Sequence, residues 1–237
     1  YITSINMKRL LLSFLCLISL TTLLKAQDTA PLTNEATFFV KVETNKGNFV
    51  VALYDGTPRH RDNFLQLVRA HSYEGTLFHR VIDRFMIQGG NLMTRGATAS
   101  TDVSQDTIST RIPHEIDLTR FFHKHGALCA AREGDEVNPE KASSSTQFYI
   151  VTGNYFTDLD LDELEARTGR KYTPEQREAY KLYGGTPHLD NGYTVFGEVV
   201  SGMNVVEEIQ RVATDDQNRP RKDVIIKKVS IVAKPKK

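Results

Sequence analysis

At 237 residues, 40% of them hydrophobic and 25% charged, the chain is long enough to bury one substantial core. Its 30 basic and 29 acidic residues nearly cancel, for a formal net charge of +1, so it lacks the field needed to hold nucleic acid or an anionic membrane. Two cysteines exclude a disulfide framework.

Met7-Lys8-Arg9, the apolar run Leu10 to Leu24 and Lys25-Ala26-Gln27 follow the order of a secretory signal: basic, greasy, then small. The run is too short for a comfortable membrane span. Residues 1–26 are therefore read as upstream residues and a signal peptide, cleaved near Gln27, and the mature product as exported, either periplasmic or secreted. Cleavage removes Lys8, Arg9 and Lys25 and no acid, which takes the net charge from +1 to −2. It also removes Cys16 and leaves Cys129 with no partner in its own chain.

Residues 27–37 are polar and read as a linker. Residues 37–54 read as a hairpin around Asn45-Lys46-Gly47-Asn48. Thr57 and Pro58 then open a helix, with Phe64, Leu67, Val68 and His71 on one face. Short strands are expected at 77–82, 85–88, 127–131, 147–152 and 194–200, then a helix at 202–211 and a last strand at 224–232. Many short strands with two framing helices predict a mainly β fold, a closed antiparallel barrel. Residues 154–187 break this rhythm with two helical stretches, the second opened by a Thr173–Gln176 capping box with Pro174 inside it. They read as an inserted helical hairpin, separable from the rest because its own caps let it fold locally. Residues 234–237 are a basic tail.

The stretch FHRVIDRFMIQGG, residues 78–90, is not a plain core hairpin. Arg80 and Gln88 sit among Phe78, Phe85, Met86 and Ile87, and the double glycine permits a sharp turn or a close approach. Other candidates for chemistry are weaker. His123-x-His125 with His114 lacks a completing cysteine or carboxylate cluster, so no metal and no cofactor is expected. Serines 143–145 lack a nucleophile turn, and GGNLMTRG lacks the lysine of a phosphate loop.

FHRVIDRFMIQGG, HGALCAAR, SSSTQFYIVTG and HLDNGYTVFGEVVSGMNVVEEI occur in that order, and together they closely resemble the cyclophilin family of peptidyl-prolyl cis-trans isomerases. The resemblance implies an isomerase domain over 38–233, an eight-stranded antiparallel barrel capped by two helices, with its site on the outer face. It implies Arg80 as the catalytic arginine, with Phe85 and Gln88 beside it, and Met86, Ala131, Arg132, Tyr149, His188, Leu189 and Tyr193 as substrate-binding residues. The implied partner is a proline-containing polypeptide, with no nucleic acid, no membrane after signal cleavage, and a monomeric state. His79 is expected to face away from Arg80 and serve the fold.

Four positions depart from the family pattern. His188 stands for tryptophan and Tyr193 for histidine, which implies weak cyclosporin binding. Asn91 stands for aspartate and Arg132 for asparagine. A second reading stays open, a proline-peptide-binding or chaperone module without turnover.

Overall fold

The computed structural model describes residues 35–104 and 106–236, so the expected signal segment and most of the expected linker lie outside the described residues. Eight strands form one antiparallel sheet: β1 (Phe38–Thr44), β2 (Gly47–Leu53), β3 (Arg80–Ile82), β4 (Met86–Gly89), β6 (Ala127–Ala130), β8 (Phe148–Val151), β9 (Val195–Ser201) and β10 (Ile226–Val232). Their order is β10-β1-β2-β9-β6-β8-β4-β3. The sheet curls into a half-barrel. Along the seam between its edges run a Leu77–Ile225 bridge and three backbone hydrogen bonds: Phe78 N–H to the Val224 carbonyl at 2.9 Å, Ile226 N–H to Thr76 at 2.9 Å and Gly75 N–H to Ile226 at 2.8 Å. A separate pair, β5 (Arg111–Ile112) with β7 (Ser143–Ser144), was not expected. These strands are two residues long and carry no alternating pattern to read.

Alternation along the strands builds two apolar clusters, one on each face of the sheet. Ile87, Leu128, Ala130, Phe148 and Ile150 belong to the large interior core, while Met86, Ala127, Cys129, Tyr149 and Val151 belong to a second cluster. Successive strand residues point to opposite faces, so a fully apolar strand feeds both. The continuous apolar runs of β6 and β8 have this cause. The interior is closed by α1 (Pro58–Arg69) through Phe64, Leu65 and Val68, and by α4 (Met203–Gln210) through Val205, Val206 and Ile209.

Two details of α1 differ from the sequence reading. His71 lies beyond the helix end, exposed, with φ +54°, and His60 takes the buried place one turn before Phe64. Thr57 makes no side-chain cap. The first N–H groups of the helix, those of Arg59 and His60, donate instead to the Glu115 carboxylate at 3.1 and 3.0 Å. An anion at a helix N-terminus satisfies orphan donors and the dipole together, and a partner 55 residues away leaves no local signature.

The hairpin comprises α2 (Asp158–Thr168) and α3 (Pro174–Leu182). The expected Thr173–Gln176 capping box is formed, and a second, Thr157–Asp160, opens α2. Leu161, Leu164, Tyr172 and Tyr180 bury one another, with Phe122 packed against them. The hairpin also touches the chain outside itself. Gln176 donates to the Leu118 carbonyl at 2.7 Å, and a Cβ on Gly185 would lie 2.3 Å from the His123 carbonyl. Both contacts are to the loop segment that precedes β6.

Candidate active site

β3 and β4 form a tight antiparallel pair in which Arg80 lies opposite Gln88. The next ladder places Gln88 opposite Tyr149, and the one after places Tyr149 opposite Cys129. Period-two alternation then points Met86, Gln88, Tyr149 and Ala131 toward one side of the sheet. Gly90 allows the sharp exit from β4. Its φ is +85°, and a Cβ there would lie 2.3 Å from the Thr146 carbonyl.

Arg80, Phe85, Met86, Gln88, Ala131, Arg132, Tyr149, Leu189 and Tyr193 surround one cavity of about 90 Å³. These are nine of the ten residues expected from the sequence. The tenth, His188, lies outside that lining and stacks on Phe85, with ring centroids 5.7 Å apart and an interplanar angle of 20°. His79, next to Arg80 in the chain, is buried, and burial lowers its pKa to about 4.

One rim of the cavity is a polar chain. Arg80 Nη1 donates to Gln88 Oε1 at 3.4 Å, Gln88 Nε2 to Gln147 Oε1 at 2.8 Å, and Gln147 Nε2 to Asp106 Oδ2 at 2.7 Å. Gln147 and Asp106 were not singled out in the sequence. Gln147 directly precedes the β8 run and its position there was the available signal, whereas Asp106 sits in a loop with no pattern at all. A neighbouring cavity of about 440 Å³ shares Gln88, Ala131 and Arg132 with the first. On the far side of His188 lies a hollow of about 480 Å³, lined by Phe156, Leu164, Asp160, Glu163 and Arg167 of the hairpin.

The departures from the family pattern each have a structural account. The Arg132 guanidinium lies 4.6 Å from the Tyr193 ring centroid, donates to the Gly192 carbonyl at 2.5 Å and pairs with Asp135 at 2.7 Å. It braces the 189–193 loop, so its side chain, and not only its backbone, shapes the pocket. Tyr193 meets the Tyr149 ring edge to face at 5.9 Å. Buried Asn91 donates to the Val103 carbonyl at 3.1 Å and accepts from Met93 N–H at 3.0 Å, capping the short turn of helix at Leu92–Thr94.

His125 and His123, two of the three histidines weighed as metal ligands, are engaged separately. His125 Nδ1 contacts the Thr152 carbonyl at 2.7 Å and its Nε2 pairs with Glu207 at 3.1 Å, while His123 contacts Asp190 and Tyr149. Cys129 is buried and free, its thiol pushed up in pKa by desolvation.

The chain is similar to several known proteins. A solved structure of a Cryptosporidium parvum cyclophilin type peptidyl-prolyl cis-trans isomerase shares the fold, with a TM-score of 0.59 and 23% identity over 84% of this chain and 99% of that one. A second structure, described as that protein in the presence of the dipeptide Ala-Pro, matches with a TM-score of 0.59 and 21% identity over 83% and 99%. A Staphylococcus aureus (strain COL) protein named as a peptidyl-prolyl cis-trans isomerase is 31% identical over 81% of this chain and 90% of its own length. A Streptococcus pyogenes protein named as a bifunctional phosphatase and peptidyl-prolyl cis-trans isomerase is 32% identical over 81% of this chain, which spans only 38% of that longer relative. The family model described as "Cyclophilin type peptidyl-prolyl cis-trans isomerase/CLD" matches residues 39–231, which takes in all but the first and last residues of the curled sheet and both its covering helices. The chain belongs to the cyclophilin-type peptidyl-prolyl cis-trans isomerase family.

Proposed function

We propose that the cavity beside Arg80 takes the pyrrolidine ring of an X-Pro segment and that the chain catalyses rotation about the preceding amide. The observation that carries this is a guanidinium, hydrogen-bonded to Gln88, at the rim of a small pocket walled by Phe85, Met86, Tyr149, Leu189 and Tyr193. Amide resonance resists rotation, and the unaided change takes tens to hundreds of seconds. In the twisted transition state the prolyl nitrogen regains its lone pair. A fixed donor aimed at that nitrogen stabilises the twisted form more than either planar one, which is what catalysis requires.

Arg80 is the electrostatic catalyst in this reading, and Gln88 holds both Arg80 and a substrate carbonyl. The apolar wall grips the ring while the acyl side turns. Hollows on either side of the pocket leave room for an extended chain, so the substrate is a proline-containing polypeptide and not free proline. The Ala-Pro dipeptide associated with the Cryptosporidium protein supports that substrate class.

The finer parts of the reading rest on sequence. They are a bacterial exported form, periplasmic or secreted after loss of residues 1–26, that assists folding as a monomer. It carries a closed barrel over 38–233 with an inserted hairpin at 154–187, and binds cyclosporin weakly. A protease-coupled proline tetrapeptide assay tests the function. Turnover at rates above the spontaneous reaction is expected. Peptide binding without turnover would favour the chaperone or binding-module alternative.

A further inference from the structure

The hairpin supplies two side chains to a buried polar chain that ends in the wall of the pocket. The Asp190 carboxylate has no solvent exposure. Its Oδ1 accepts from the His123 backbone N–H at 2.9 Å and lies 2.6 Å from His123 Nδ1. Its Oδ2 accepts from the Tyr180 hydroxyl of α3 at 2.5 Å and pairs with the Arg170 guanidinium from the α2–α3 turn. The other ring nitrogen of His123, Nε2, lies 3.0 Å from the Tyr149 hydroxyl. Arg170 is itself held, its guanidinium 4.3 Å from the Tyr172 ring centroid, and Tyr172 donates to the Pro187 carbonyl at 3.3 Å.

Each bond constrains the next. Burial alone would raise the Asp190 pKa, but the His123 hydrogen bond and the Arg170 charge outweigh it and hold the pKa below its usual value. An ionised carboxylate only accepts, so His123 Nδ1 carries a proton. That turns Nε2 toward the Tyr149 hydroxyl, which can donate to the nitrogen or accept from it. Two faces of the Tyr149 environment are thereby fixed: the hydroxyl by His123, and the ring by Tyr193 packed edge-on at 5.9 Å. Loss of Arg170 would leave a buried carboxylate short of positive charge and release this ordering.

We propose that Arg170 and Asp190 are positioning residues for the proline pocket, acting through His123 on the Tyr149 ring. The hairpin is then a working part of the pocket and sets how well it grips the ring. This rests on the isomerase reading given above.

The test uses the full chain with Arg170→Met, Arg170→Lys, Tyr149→Phe and the double variant Arg170→Met/Tyr149→Phe. Kinetics, calorimetric affinity for a proline peptide, melting and imidazole 15N spectra are read together. Arg170→Met is expected to raise KM about tenfold with little change in kcat, because Tyr149 grips ground and transition states alike. Arg170→Lys is expected to recover most of the loss, and the His123 Nδ1 resonance to move in Arg170→Met. Because both changes act on one ring, the double variant is expected to be no worse than Tyr149→Phe. Multiplying losses in the double variant overturns the proposal, as does an Arg170→Met protein that melts lower with KM unaltered. Should Arg170→Met fail to fold, Tyr180→Phe takes its place in the same cycle. Absence of turnover in the unaltered protein would sink the isomerase reading instead, and peptide affinity would still report on the positioning chain.

Discussion

Two polar chains leave the pocket in opposite directions and differ in their access to water. The outer one, Arg80–Gln88–Gln147–Asp106, borders the cavity of about 440 Å³, which Gln88, Gln147 and Asp106 help to line. The inner one, Tyr149–His123–Asp190, ends on Arg170 and Tyr180, and its His123 and Asp190 side chains are 1% and 0% exposed. Water can replace any bond of the outer chain, so its donors can exchange partners with a substrate at little cost. No such replacement is open to the inner chain, where a lost partner leaves a buried polar group unsatisfied. Chemistry is therefore expected from the outer chain and shape from the inner one.

Breaking each chain at its charged member gives the widest separation. Asp190→Ala removes one partner of a buried ion pair and is expected to lower stability by about 3–5 kcal/mol, read from urea unfolding. An unfolding free energy close to that of the unaltered protein would show that the inner chain holds nothing. Arg80→Ala is expected to leave melting nearly unchanged and to lower kcat/KM by about a hundredfold, about 3 kcal/mol of transition-state stabilisation. Ground-state peptide binding is expected to weaken far less, since the apolar wall is untouched. Arg80→Lys would rescue little, because an ammonium lacks the planar fork that reaches Gln88 and a prolyl nitrogen together. Near-normal turnover in a folded Arg80→Ala protein refutes the mechanism.

The two chains were not equally legible. Every outer residue but Asp106 lies within a motif that the sequence reading quoted, because β3, β4 and β8 carry their side chains at strand spacing and the ladder then brings them together. The inner chain joins Tyr149 of β8 to residues 123, 170, 180 and 190 from loops and the hairpin, and no period relates them. In the sequence His123 reads as part of a candidate metal set with His125 and His114, since sequence shows a histidine's spacing and not its partners. The hairpin caps were legible because a capping box is local. Its contacts with the loops around His123 and Asp190 are not, because Tyr180 and Arg170 look like ordinary helix and turn residues. Much the same holds for Glu115, whose role at the start of α1 depends on a contact 55 residues away.

A smaller effect sharpens the comparison at neighbouring residues. Arg80 is half-buried at the rim, while His79 beside it is buried, with its pKa lowered to about 4 chiefly by desolvation. The unfolded chain would titrate His79 near its ordinary value of about 6.5. Between those values the unfolded state binds the extra proton, so this stability is present at pH 7 and is lost as the pH falls. By pH 5 the loss from this group is about 2 kcal/mol. NMR titration is expected to show the His79 ring neutral from pH 7 to pH 5. Titration of His79 near 6.5 would remove this contribution.

The smallest expected effect lies at the edge of the pocket, where the two chains no longer compete. His188 is not part of the cavity lining, and it touches the site only by stacking on Phe85 at 5.7 Å. Burial lowers its pKa, so at neutral pH it is an uncharged imidazole offering a small ring beside a hollow of about 480 Å³. An indole would cover more of Phe85 and carry a directed N–H toward a bound backbone, a gain of about 1 kcal/mol. His188→Trp is accordingly expected to tighten cyclosporin binding roughly fivefold, with kcat/KM for a short peptide nearly unchanged, because neither Arg80 nor Tyr149 moves. Calorimetry of the two proteins decides it. An unchanged affinity would mean that the limit lies inside the pocket, at the Arg132-braced Tyr193, and Tyr193→His would then be the substitution that restores binding.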